Sequence, residues 1–107
     1  MSETRLRHLA RRIERIKKGL ATVGPMRPGS LTRQYKDPKN QRGAYWQISY
    51  TRAMKSHTEY VRQDCVADIR RQIAAYKRFK TLTELWIDLS IEASKLRMQL
   101  GQKEGSE

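Results

Sequence analysis

Between Gly24 and Val61 the spacing of apolar residues changes from three-or-four to two, and after Asp64 it changes back. A helix repeats its faces every 3.6 residues and a strand every two, so one stretch cannot satisfy both patterns. The chain must therefore fold as helix, β-module, helix. The first helical stretch, residues 3–21, places Leu6, Leu9, Ile13, Ile16 and Leu20 on one stripe. Gly24-Pro25 and Pro28-Gly29 end it, because proline cannot continue a helix and glycine relaxes the turn. Met26 and Leu31 are expected to pack inward beside these turns.

The β-module covers residues 27–61. In Gly43-Ala-Tyr-Trp-Gln-Ile-Ser-Tyr50, Ala44, Trp46, Ile48 and Tyr50 share one strand face. Tyr45, Gln47, Ser49 and Thr51 share the other. Ser56–Val61 forms a returning strand, since Thr58, Tyr60 and Val61 favour extended backbone. The linker Arg52-Ala-Met-Lys55 has no glycine, which predicts a loop longer than the two-residue primed turn. Two strands alone are marginal in water, so a helix beneath them or a third strand from Ser30–Tyr35 is required. Lys36–Gly43 reads as a polar basic loop.

From Asp64, a plausible N-cap, the helical period resumes to about residue 100. Val66, Ile69, Ile73 and Tyr76 make one stripe; Phe79, Leu82, Trp86, Leu89, Ala93, Leu96 and Leu100 make another. The steps Tyr76–Phe79–Leu82 are both three, so the stripe drifts around the helix there. Thr81-Leu-Thr-Glu84 also matches a capping box. One long helix is the expectation, and a break near Arg78–Thr81 is the alternative. Residues 101–107 read as a disordered polar tail. The fold class is thus mainly α with a small β-hairpin or three-stranded sheet, in a single small domain, its two helices packed as a helical hairpin or coiled coil.

Charge narrows the function. The 107 residues carry a formal net charge of +12. Residues 1–55 hold 14 Lys/Arg against 3 Asp/Glu, whereas residues 81–107 hold 3 against 5. Such a chain favours polyanions, nucleic acid before an anionic membrane surface. The phosphate candidates are Arg11, Arg12 and Arg15 on the first helix, with Arg27, Arg33, Lys36, Lys39, Arg42, Arg52, Lys55 and Arg62 in and around the β-module. Tyr45, on the polar strand face, is the candidate for base contact. The mildly acidic C-terminal helix is a packing or docking element: Leu6, Leu9, Ile13, Ile16 and Leu20 would meet Phe79, Leu82, Trp86, Leu89 and Leu96.

Catalytic and metal chemistry find little footing. Cys65, His8 and His57 lack ligand spacing for zinc, and no cofactor or metal is expected. Cys65 reads as a buried or half-buried residue at a helix start, without a fixed histidine to activate it. Asp64 and Asp68 share a helix face but neighbour Arg70 and Arg71, which suits capping and surface pairing better than metal binding. The glycines fit no phosphate loop, so no enzyme is expected. One cysteine forbids an intrachain disulfide, the N-terminus lacks an apolar leader, and no segment reaches the ~20 apolar residues of a membrane span. A cytoplasmic protein is expected.

The run Arg27-Pro-Gly-Ser-Leu31, Tyr35, Gly43–Tyr50 and Thr58-Glu-Tyr-Val61, followed by a helix with Tyr76-Lys-Arg, resembles a family of small prokaryotic domains of unknown function. Its members combine an RPGSL-type start, a G-x-Y-Y-x-L-S-Y-type strand and a T-x-Y-V-type strand before a long helix. The resemblance covers residues 25–80 and implies a mobile-element setting. Members often carry cysteines where this chain has Lys36–Arg42, so no metal role carries over. The strand–strand–helix order is also similar to the small DNA-binding domains that precede tyrosine integrases. The expected function is a non-enzymatic nucleic-acid-binding accessory protein for DNA or RNA, as a homodimer or within a larger nucleoprotein complex. The alternative is a protein–protein adaptor, or a small subunit or inhibitor, docking through its C-terminal helix.

Overall fold

A computed structural model describes residues 2–105, with side chains described to Gly101. The order is α1 (Ser2–Ala21), β1 (Ser30–Asp37), β2 (Arg42–Arg52), β3 (Lys55–Val61), a 3-10 turn (Gln63–Cys65) and α2 (Val66–Gly105). The three strands form one antiparallel sheet in the order β1-β2-β3. The chain falls into two compact units: α1 with α2 from Arg78 onward, and Gly24–Lys77.

In the helical unit, Leu9, Ile16, Leu89 and Ala93 are buried, with Leu6, Ile13, Leu20, Leu82, Trp86 and Leu96 packed against them. The expected seam forms, except that Phe79 is not among the residues packed against this core. Arg5 meets Glu92 at 2.7 Å, Lys17 lies over Trp86 at 5.4 Å, and Arg78 donates to Thr22 at 3.2 Å. Rising numbers on α1 thus pair with falling numbers on α2, which makes the two segments antiparallel. Thr22 closes α1 by donating its hydroxyl to the Gly19 carbonyl at 2.7 Å.

In the sheet unit, Ile48, Val61 and Val66 are buried, with Leu31, Trp46, Ile69 and Ile73 packed around them. The register sets Leu31 opposite Ile48 and Trp46 opposite Val61, so the apolar residues share one face, covered by the first turns of α2. Gly29 has φ 146°, and a Cβ there would come within 2.6 Å of Ile48. Only glycine lets the entering chain cross so close to the core.

Several expectations change. The β2–β3 connection is the two-residue primed turn after all: Arg52 pairs with Lys55, and Ala53 and Met54 take φ 52° and 65°. Seven-residue pairing along β3 holds the turn closed despite the missing glycine. The basic loop shrinks to residues 38–41, because β1 runs on to Asp37 and β2 starts at Arg42. Asp37 organises this turn by accepting the Asn40 side-chain amide at 2.9 Å. Asp64 is not a helix cap: it sits inside the 3-10 turn and its carboxylate pairs with Arg62 at 2.6 Å. Cys65 in the same turn is exposed, and Met26 is 41% exposed. α2 is one continuous helix through the Arg78–Thr81 region. It also continues past Gly101, where Gln102, Lys103 and Glu104 are good helix formers. The remaining tail residues, 106 and 107, lie outside the described residues.

Candidate nucleic-acid interface

The sheet's second face is set by the same register. Ser30, Ser49 and Thr58 make one cross-strand row, Thr32, Gln47 and Tyr60 the next. Gln34 pairs with Tyr45, and Thr51 with Ser56. Ser49 and Thr58 hydroxyls lie 3.4 Å apart, and Gln34 donates to Thr32 at 3.2 Å. This face therefore carries hydroxyls, carboxamides and phenols, and no carboxylate. The acids of this unit stand elsewhere. Asp37 ends β1 opposite Arg42 with the parity of Leu31, Glu59 likewise has the opposite strand parity, and Asp64 and Asp68 follow the sheet. Hydroxyls and amides can both donate and accept, which suits the mixed edges of bases.

Tyr45 and Tyr60 border a hollow on this face with Lys36 and Gly43. Gly43 has φ 70°, and a Cβ there would stand 3.0–3.4 Å from the Lys36 side chain. The glycine thus leaves room for the Lys36 methylenes to lie close against β2. Tyr60 is 68% exposed, a large ring held open to solvent.

Cations stand at both ends of the sheet. Lys39 lies in the β1–β2 turn and Arg42 opens β2 after it; Arg52 and Lys55 bracket the β2–β3 turn at the far end of β2, and these strand residues have the parity of Trp46 at the two ends of the sheet. Lys36, Lys39, Arg42, Arg52 and Lys55 are all exposed. Arg33 is exposed on the edge strand, over the Tyr35 ring at 5.8 Å. Arg27 and Arg62 are committed within the protein. Arg27 pairs with Glu59 at 3.3 Å and lies over the Tyr50 ring at 5.2 Å, and its backbone N–H donates to Gln72. Tyr50 donates to Glu59 at 2.8 Å and stacks on His57. That hydrogen bond, then the Arg27 charge, hold the Glu59 carboxyl below its ordinary value. The same bond pushes the Tyr50 phenol up. The hydrogen bond from Arg62 likewise holds Asp64 down.

On α1, Arg11 and Arg15 are exposed and Arg12 is partly buried; Arg11, Glu14, Arg15 and Lys18 line a shallow hollow there. The expected partition of Tyr45 from Trp46 and Ile48 holds, since Tyr45 and Ile48 have opposite strand parity. Trp46 is spent in structure: its indole N–H donates to Gln63 at 3.0 Å and Arg70 stacks over its ring at 5.2 Å. Sequence reasoning passed over Tyr60, Thr32 and Gln34. The two-residue alternation of β3, carried across the register from Gln47, is the signal that places Tyr60 with them.

Among the described residues, no group of three or more His, Cys, Asp or Glu could hold a metal ion, and no helix is long and apolar enough to cross a membrane. A scan of protein-family models, a search of curated proteins and a search of solved structures each returned no match.

Proposed function

We propose that the protein is a nucleic-acid-binding accessory protein that lays the polar face of its sheet on DNA or RNA. The observation that carries this reading is a polar sheet face without a carboxylate, with Lys36 on its side of β1, in a sheet whose two ends carry further exposed cations. β2 spans eleven residues, about 35 Å at full extension, so its two ends can reach phosphates on either side of a contacted segment. Phosphate contacts fix position, and the face between them meets base edges or unstacked bases. The strand–strand–helix order noted in the likeness to the small DNA-binding domains that precede tyrosine integrases corresponds to β2, β3 and α2. A mobile-element setting rests on the family resemblance alone. Of the stripe Phe79–Leu100 on which the adaptor reading rests, the part from Leu82 to Leu96 packs against α1.

The test is the triple change of Lys36, Lys39 and Arg42 to Ala. It should weaken binding to all sequences alike and make the salt dependence shallower by about three in log–log slope. Unchanged affinity and slope would remove this end of the sheet from the interface.

A further inference from the structure

The segment of α2 that packs on α1 has a second apolar stripe on its other side. Ile87 is 53% exposed, Ile91 50% and Met98 60%. They step by four and seven, so they line one helix face, about 170° around from Leu89, Ala93 and Leu96. With Thr83, Trp86 and Ser90 they border an apolar groove along the helix. Ser90 and Ser94 are small and let a second helix approach closely. Among the described residues, the helical unit buries only Leu9, Ile16, Leu89 and Ala93. A two-helix core this thin is the usual reason for helical hairpins to pair into four-helix bundles.

We propose that this stripe is a homodimer interface, in which α2 packs antiparallel on α2 of a second copy with the two-fold near Leu89. That register sets Ile87 against Ile91 of the other copy. It also brings Glu84 to within one residue of Lys95 of the other copy on the same flank, twice by symmetry. Among the described residues, Lys95 is the one charged residue lining the groove, and Glu84 is its complement in the antiparallel arrangement. Charge also excludes the other exposed helical surface: residues 3–18 of α1 carry seven Lys/Arg against two Glu and would repel their own copy. Residues 81–107, with three Lys/Arg against five Asp/Glu, do not. The dimer is independent of the nucleic-acid reading, since no residue of the sheet takes part.

Analytical ultracentrifugation of the intact chain at high salt, without nucleic acid, tests it over about a hundredfold range of concentration. The expected mass rises toward twice the 12.6 kDa of one chain. Changing Ile87 and Ile91 together to Gln should raise the dissociation constant by about tenfold or more, with helicity by circular dichroism unchanged, because both side chains are exposed in the monomer. Glu84→Lys and Lys95→Glu should each weaken the dimer, and the two together should restore it. In a Cys65→Ser background, Ser90→Cys should cross-link between copies on oxidation. Ser94→Cys should not, because antiparallel packing sets its two copies about 15 Å apart along the axis. A monomer at every concentration, or a dimer indifferent to the isoleucine pair and the charge reversals, overturns the proposal.

Discussion

Ala53 and Met54 each occupy the left-handed region, where a Cβ crowds the backbone and glycine or asparagine is favoured. Nothing offsets this locally, since Met54 is 98% exposed. Replacing the pair by Asn-Gly should therefore stabilise the protein by about 1 kcal/mol, read as a higher midpoint in thermal or urea unfolding. An unchanged or lower midpoint would mean the turn is not strained. The Tyr50–Glu59–Arg27 group makes a second residue-level prediction. Glu59 has a lowered pKa, so its contribution to stability is fully present above its ordinary 4.5 and is lost as pH falls through the folded value. Tyr50 has a raised pKa, so its contribution is present below 10.0 and is lost as pH rises through the folded value. Glu59→Gln should lower the melting temperature at neutral pH, and the gap to the parent protein should close as pH falls below 4.5. A gap independent of pH would place the loss in packing instead of charge.

At the scale of elements, the helices were legible because their stripes are long. Leu6 to Leu20 and Leu82 to Leu96 each repeat over several turns, and they meet as their spacing requires. Leu9 is fully buried at the centre of that seam, so Leu9→Ala should cost about 2–5 kcal/mol, measured by urea unfolding. Phe79→Ala should cost clearly less, since Phe79 is only partly buried. Equal losses would contradict the packing described. The second stripe, Ile87–Ile91–Met98, escaped because serines and charges interrupt it, and a stripe is seen in a sequence only when its gaps are few. The helix start was misread for a different reason. Aspartate before an apolar period suits an N-cap, but Asp64 has Arg62 two residues away and pairs with it. The tight turn at Ala53-Met54 was hidden because turn chemistry speaks for local preference, while the pairing of β3 along β2 decides the outcome.

At the scale of the molecule, net charge pointed to a polyanion but not to a surface. The alternation of β2 separated Tyr45, Gln47, Ser49 and Thr51 from the core positions, and half of the candidate face was visible there. The other half needed the register. Thr32 and Gln34 on β1, and Thr58 and Tyr60 on β3, join that face only through pairings that no local pattern states. Charge counting also placed Arg27 and Arg62 among the phosphate ligands, where the fold engages both with acids of their own unit. What distinguishes the face is where carboxylates are missing, and that is a property of three strands together.

The central claim is that this face contacts nucleic acid. The most direct measurement is titration of matched single- and double-stranded DNA and RNA, over a salt series, with the parent protein and with Gln47→Glu. Gln47 stands in the middle of the face, between Thr32 and Tyr60. Five phosphate contacts would reduce affinity about 500-fold for a fourfold rise in salt. One carboxylate at position 47 should weaken binding by about tenfold or more while leaving the melting temperature close to that of the parent. Absence of binding at low salt, or full affinity in Gln47→Glu, would contradict the account.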